Sequence, residues 1–449
     1  MSTPLGRHRR PEAAAPPAAP PGTSAGTGPV AHACAPVRSG DVSGTPPSTA
    51  TGPHGGSRPR LVGIDAARGV ALLGMMAVHT IDAYDDDRTL SLAWTLSAGK
   101  AAALFAVLAG VGVAFASGGH RPTGRSWRAD AASLAVRALL IGAVGLTLGY
   151  VVPSAYAAII LAYYALLFLF AIPLLSLSIR TLVVLTGAIA VVVPVLSHAV
   201  RASTGLSGDG RNPTFTDLLD DPLGLLGELA LTGVYPALPW LAYLCAGMAV
   251  GRSLLSSRRT VGFIVLIGAG LVVGARTTSW LLLDVLGGRA ELGTGARASM
   301  TADDVERVLQ SGWAGTTPPD TGWWLATTAP HSSTPLDMLY TIGIALVVLG
   351  VFILIGRTTT ALLRPLAAAG SMTLTVYSLH LLMLGSDVLP GGPAELVIQL
   401  AVVVAFALVW SRYHLRGPLE ELVASATGAV RRKVAAAGRT ETAGDRSGS

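Results

Sequence analysis

From residue 61 onward the chain alternates long apolar runs with short polar breaks. The runs lie at about 61–81, 94–116, 132–152, 155–176, 181–200, 229–251, 260–285, 336–356, 363–385 and 394–412. Each is near the roughly 20 residues that an α-helix needs to cross the hydrocarbon core of a bilayer. The pattern predicts an all-α, polytopic integral membrane protein with about ten transmembrane helices. The polar breaks orient it. Arg121, Arg125 and Arg128 follow the second run, Arg180 the fourth, Arg252, Arg258 and Arg259 the sixth, Arg357 and Arg364 the eighth, and Arg412, Arg416, Arg431, Arg432 and Lys433 the tenth. The opposite breaks carry Asp85, Asp86 and Asp87, then Asp217, Asp220 and Asp221, and a long segment, 287–335. Because positive loops stay on the cytoplasmic side, an even number of spans with both termini cytoplasmic is expected.

Residues 1–58 are rich in Pro, Ala, Gly, Ser and Thr and hold almost no large apolar side chains, so they read as a disordered cytoplasmic tail. No apolar core follows the early arginines until Leu61, which argues against a cleaved secretory signal. The expected organisation is that tail, a membrane domain over 59–420 and a second cytoplasmic tail over 421–449. The 287–335 segment, with Pro318-Pro319, Trp323-Trp324 and Pro330-His331-Ser332, is too long and aromatic for a passive link and is expected to fold over the outer mouth.

Composition agrees with this picture. Of 449 residues, 51% are hydrophobic and only 13% charged, with a mean hydropathy of +0.56, which is too apolar for a soluble protein of this size. The net charge of +6 and pI near 9.6 do not indicate nucleic acid, because the basic residues sit in tails and short loops where topology accounts for them. Cys34 and Cys245 form no CxxC and no plausible pair, which argues against redox or zinc-thiolate chemistry, and no metal is expected.

The first run carries the densest chemistry. At 100° per residue Asp65, Arg68 and His79 share one helix face, with His79 about 14 residues and roughly 21 Å beyond Asp65 along the axis. Gly69 and Gly74 would let a second helix approach closely. At the inner end Asp65 is placed to pair with Arg68 at i,i+3, and with Arg60 the surplus positive charge suits the phosphates of an anionic donor. His79, near the outer end, is a candidate general base or acyl-transfer relay, or else a satisfied structural histidine.

Other ionisable groups fall at a similar depth. They are His380 in the ninth run, Lys100 in the second, Arg276 in the seventh and Asp337 opening the eighth, just after His331. A shared outward cavity is the economical reading, because intramembrane charges face protein or water. Each also has a plain alternative: snorkelling for Lys100, a structural pair for Arg276 and Asp337, loop exposure for His331, and interfacial packing for Tyr340 and Tyr377.

The pattern Arg60-x4-Asp65-x2-Arg68-Gly69-x9-His79 resembles the first-helix signature of the transmembrane acyltransferase superfamily, which includes the acyltransferase-3 enzymes and the heparan-α-glucosaminide N-acetyltransferases. Three further stretches are similar to its YeiB-like branch. They are Gly233-Val-Tyr-Pro-Ala-Leu-Pro-Trp240 running on to Gly247-Met-Ala-Val-Gly-Arg252, then Ala329-Pro-His-Ser-Ser-Thr-Pro335, and the closing Arg416-Gly-Pro-Leu-Glu420. The resemblance implies transfer of an acyl group, foremost acetyl, from cytoplasmic acyl-CoA to a glycan or other envelope acceptor outside. His79 would then be catalytic, His380 would match a late-helix Tyr-x-x-His, and Arg60, Asp65 and Arg68 would face the donor. YeiB-like proteins often carry Asn where this chain has His79.

The chemistry asks for a base near the acceptor and positive groups near donor phosphates. Lys100 or Arg276 could stabilise an oxyanion, with His331 and Asp337 on the acceptor side. No cofactor is expected beyond acyl-CoA as co-substrate. The expected partners are the lipid bilayer, acyl-CoA, the envelope acceptor and, through small-residue helix faces, a second copy of the chain. The expected location is the plasma membrane. The competing readings are a transporter or flippase using the same polar path, and a non-catalytic membrane protein.

Overall fold

The computed structural model describes residues 61–119, 121–208, 210–292, 300–313, 315–386 and 388–446. Among these, regular structure is helical apart from one isolated bridge between Tyr84 and Leu90. Twelve helices matter here: α1 (Val62–Thr80), α2 (Lys100–Ala116), α3 (Gly124–Leu148), α4 (Leu161–Ala171), α5 (Ile179–Thr204), α6 (Ala237–Arg252), α7 (Arg258–Trp280), α8 (Pro335–Ile355), α9 (Thr360–Gly370), α10 (Thr373–Gly385), α11 (Gly392–Trp410) and α12 (Pro418–Arg446).

Among the described residues seven helical stretches are long and apolar enough to cross a membrane. Two bent pairs bring the number to nine if each is one span. The bent pairs are Pro222–Thr232 with α6, at 54°, and α9 with α10, at 66°. Every one of the ten apolar runs is thus helical, but the fourth forms only the 11-residue α4 and a short 3-10 turn, Pro173–Ser176. Polar side chains set the helix starts. Ser178, Ser257 and Thr334 accept from the third backbone N–H beyond themselves, at the starts of α5, α7 and α8. Glu420, in the first turn of α12, caps α10 from a distance. Its Oε1 accepts from the N–H groups of Leu374 (2.6 Å) and Thr375 (3.2 Å), and its Oε2 from the Thr375 hydroxyl.

The core is an aliphatic and alanine-rich cluster running through α1, α2, α4, α6 and α8. Glycine lets backbones touch where these helices cross. A Cβ on Gly247 of α6 would lie 1.9 Å from the Val107 carbonyl oxygen of α2, and one on Gly370 would lie 1.8 Å from that of Asp65. Gly69 makes the reciprocal contact with Leu366, as its place in the first run suggested, whereas Gly74 faces the Ser97 and Ala101 side chains. Gly370→Ala is therefore expected to push α9 off α1 and to destabilise the protein by about 1–3 kcal/mol, the usual range for overpacking. Thermal unfolding in detergent measures the loss, and an unchanged midpoint would contradict the contact.

The arginines of the basic loops have structural work. Arg121 donates to the Ser176 carbonyl, Arg252 to those of Leu175 and Leu177, and Arg357 to that of Leu255. Arg121 and Arg252 thus satisfy carbonyls at the end of the Pro173–Ser176 turn, and Arg357 one in the loop after α6. The 287–335 segment holds a helix, Ala302–Ser311, and a small apolar cluster of its own around the fully buried Trp324.

Candidate active site

Two histidines meet inside the bundle. His79, one residue before the end of α1, and His380 of α10 place Nδ1 and Nε2 2.9 Å apart, with the rings nearly parallel and their centroids 5.2 Å apart, so the two lie edge to edge in roughly one plane. His380 is completely buried. Its other ring nitrogen, Nδ1, is hydrogen-bonded to Oε1 of Gln399, and Gln399 Nε2 donates to Glu395 Oε1 at 2.7 Å. Glu395 and Gln399 lie four apart on α11, so they share a face, and both are buried.

Around the C-terminal end of α1 the stretches 233–240 and 329–335 pack on each other. Tyr235 meets the His331 ring edge to face at 5.7 Å, and Trp240 Nε1 donates to Ser333 Oγ at 3.4 Å. The backbone here is strained, since His331 and Ser333 have φ of 56° and 50°, a region non-glycine residues enter at a cost of about 1–3 kcal/mol. His331 Nε2 accepts the Gly99 N–H at 3.2 Å, while its Nδ1 is buried with no partner among the described residues. The exposed histidine expected on this loop is thus partly buried, because the loop folds back onto the start of α2.

Lys100, next to Gly99, donates to the Thr95 carbonyl at 2.7 Å and lies within electrostatic reach of Asp337 and Arg276. Arg276 donates to Thr328 Oγ1 at 2.9 Å and stands over the Tyr340 ring at 5.7 Å. Asp337 is buried. Its Oδ2 accepts from Ser333 N–H at 3.1 Å, and its Oδ1 has no partner among the described residues.

Burial and the nearby Lys100 ammonium push His331 down from its ordinary value to about 4. A depressed histidine disfavours the folded state where the unfolded chain is already protonated. Its contribution is complete above about 6.5 and is lost as pH falls toward 4. The melting temperature of the wild type is therefore expected to fall more steeply over that window than that of His331→Gln. Parallel pH profiles for the two proteins would contradict the buried, neutral imidazole.

At the opposite end of α1 a cavity of about 590 Å³ opens between α1, α2, α3, α4, α10 and α12. Four guanidiniums line it, those of Arg68, Arg137, Arg416 and Arg431, against the carboxyls of Asp130 and Glu420. Arg68 pairs with Asp65 at 3.0 Å, Arg431 with Asp130 at 2.8 Å, and Arg416 with Glu421 at 3.3 Å. Arg137 has no hydrogen-bond or ion-pair partner among the described residues. The cavity wall runs inward to Tyr164 and Tyr377, and the Tyr377 ring lies 6.5 Å from that of His380.

Residues 60–269 match the family model described as heparan-alpha-glucosaminide N-acetyltransferase, catalytic, and residues 311–429 match that described as protein of unknown function (DUF418). The two matches together cover most of the chain and are consistent with the heparan-α-glucosaminide N-acetyltransferase-like, YeiB-like branch. The chain is accordingly a multi-pass membrane protein of an N-acetyltransferase-type family. A search of curated proteins gives no match.

The residues that the sequence nominates for this branch fall into three groups. His79 and His380 are in contact. Lys100, Arg276, His331 and Asp337 gather around the start of α2 and the 327–337 loop. Asp65 and Arg68 pair at the cavity, about 21 Å and about 16 Å respectively along α1 from His79 at 1.5 Å per residue. Arg60 lies outside the described residues. Sequence reasoning missed Arg137, Gln399 and Glu395. The signals for them are an arginine inside an apolar run, and two polar residues four apart in the otherwise apolar α11. Among the described residues no cluster of His, Cys, Asp and Glu is arranged to hold a metal ion.

Proposed function

We propose that this protein is a membrane acyltransferase that moves an acetyl group from cytoplasmic acetyl-CoA to a hydroxyl or amine of an envelope glycan, or of another extracytoplasmic acceptor, at the plasma membrane. Both termini are then cytoplasmic, with the arginine-lined cavity facing the donor. The observation that carries the reading is the cavity itself. It has the volume of a small-molecule site, it carries more guanidinium than carboxylate groups, and its inner wall ends at the tyrosine beside the histidine pair.

Arg137 forms no direct ion pair among the described residues, with Glu420 within electrostatic reach, and suits a phosphate, with Arg68 held by Asp65 beside it. The acyl thioester would extend from there toward Tyr377. On the other side His79 takes the proton from the acceptor O–H or N–H as the acceptor attacks the acyl carbonyl. The C–S bond breaks, the new C–O or C–N bond forms, and CoA leaves as a thiolate that takes up a proton on release. Lys100, Arg276, His331 and Asp337 would bind the acceptor, with the two cations placed to offset developing oxyanion charge.

The reading is tested by mixing purified protein with acetyl-CoA and an envelope glycan fraction and following free CoA thiol. Thiol release that needs both acceptor and His79 supports the enzyme. If no thiol appears and acetyl-CoA does not bind a well-folded sample, the acyl-transfer reading is wrong and flux assays for a transporter take its place.

A further inference from the structure

The bond pattern from Glu395 to His79 determines which ring nitrogen of His79 is open. Taking Glu395 as the ionised carboxylate, which only accepts hydrogen bonds, the Gln399 group 2.7 Å from Glu395 Oε1 is its NH2. The flipped amide would set two acceptor oxygens against each other. Gln399 therefore turns its carbonyl to His380 Nδ1, and that nitrogen must carry the ring's hydrogen. A neutral imidazole has one N–H, so His380 Nε2 is bare and accepts from His79 Nδ1–H across 2.9 Å. The hydrogen of His79 is then on Nδ1, and its Nε2 lone pair is free.

The setting supports a dedicated device. Apart from Glu395 and Gln399, α11 between Pro393 and Trp410 is apolar, and its other faces carry exposed Val397, Ile398, Val402 and Val409. A carboxyl and an amide in such a helix are costly unless they are used inside the bundle. Gln399 is completely buried, as is His380, so water does not compete for these bonds.

The geometry points to Glu395 and Gln399 as positioning residues. Glu395 fixes the Gln399 amide, Gln399 fixes His380 in the Nδ1–H tautomer, and His380 leaves Nε2 of His79 as the lone pair that receives the acceptor's proton. The last step rests on the acyl-transfer reading, whereas the tautomers do not.

Nitrogen-15 NMR of histidine-labelled protein separates the two questions, because protonated and bare ring nitrogens resonate far apart. His79→Asn and His380→Asn samples assign the two rings among the nine histidines. The expected wild-type result is Nδ1–H for both rings. An Nε2–H tautomer at either would overturn the inference. In Gln399→Leu the fixed tautomers are expected to give way to a mixture. Turnover should fall by at least about 10-fold with the half-saturating acetyl-CoA concentration unchanged. Adding Glu395→Leu to Gln399→Leu should lower turnover no further, and an additional loss would contradict its action through Gln399. The predicted tautomers in a wild type that shows no acetyl-CoA chemistry would leave the positioning role standing and remove the acyl-transfer reading.

Discussion

Replacing His79 with alanine is expected to lower kcat by about 10²- to 10⁴-fold, the range a positioned general base supplies, while acetyl-CoA binding is retained. The separation follows from the layout. His79 sits at the far end of α1 from the arginine-lined cavity and makes its polar contact with His380, not with any cavity arginine. Removing its ring takes away the base without touching the donor site. Single-turnover measurements on a sample with an unchanged melting temperature read this directly. A His79→Ala protein that turns over within a few-fold of wild type would mean the imidazole pair is structural. Asn, which YeiB-like proteins often carry at this position, is an informative second substitution. It can hydrogen-bond to His380 but cannot take up a proton at neutral pH, so it should preserve the fold and lose turnover as alanine does.

The second large effect concerns the donor end. Arg137→Ala is expected to weaken acetyl-CoA binding by about 10- to 100-fold, matching the 1.5–3 kcal/mol of a hydrogen bond to a charged group. It should leave kcat at saturating donor nearly unchanged. Arg121, Arg252 and Arg357, in or beside the basic loops, are engaged with backbone carbonyls. Their removal should cost stability and not affinity. Equilibrium binding measured on both sets tells a phosphate-binding role from a general electrostatic one. If Arg137→Ala and Arg357→Ala weaken binding alike, the cavity has no special claim on the donor. Raised salt should weaken wild-type binding, since partly exposed charges are screened over about 10 Å at 0.1 M.

Much of this was legible in the chain because the bilayer imposes a simple rule on it. All ten apolar runs are helical, although among the described residues only seven stretches, or nine with the bent pairs, are long and apolar enough to cross a membrane, and the Asp65–Arg68 pair follows from i,i+3 spacing. The rule speaks to length and not to path. The fourth run is interrupted before Pro173 and yields only α4, and the ninth breaks at Gly370-Ser371-Met372, where Gly370 must lie against Asp65. The two histidines could be named from sequence, but their contact spans 301 positions and depends on how α10 leaves that break.

Gln399 escaped because an amide does not stand out as a charge does in an apolar helix. Arg137 escaped because it lies within a run that otherwise reads as plain span. The partial burial of His331 was not legible because its left-handed backbone and its bond from Gly99 arise only when the 329–335 stretch closes on α2. The three stretches behind the family resemblance are best understood together. Two of them form that closure, and the third brings Glu420 to cap α10, which presents His380.

The central claim is that an acyl group passes from a donor at the arginine-lined end to an acceptor at the histidine end. Its most direct test uses sealed proteoliposomes with envelope glycan enclosed and radiolabelled acetyl-CoA outside. The account predicts label on the enclosed glycan in proportion to CoA released, and none with His79→Ala. Unlabelled glycan with intact acetyl-CoA, in vesicles whose protein is folded and correctly oriented, would contradict it.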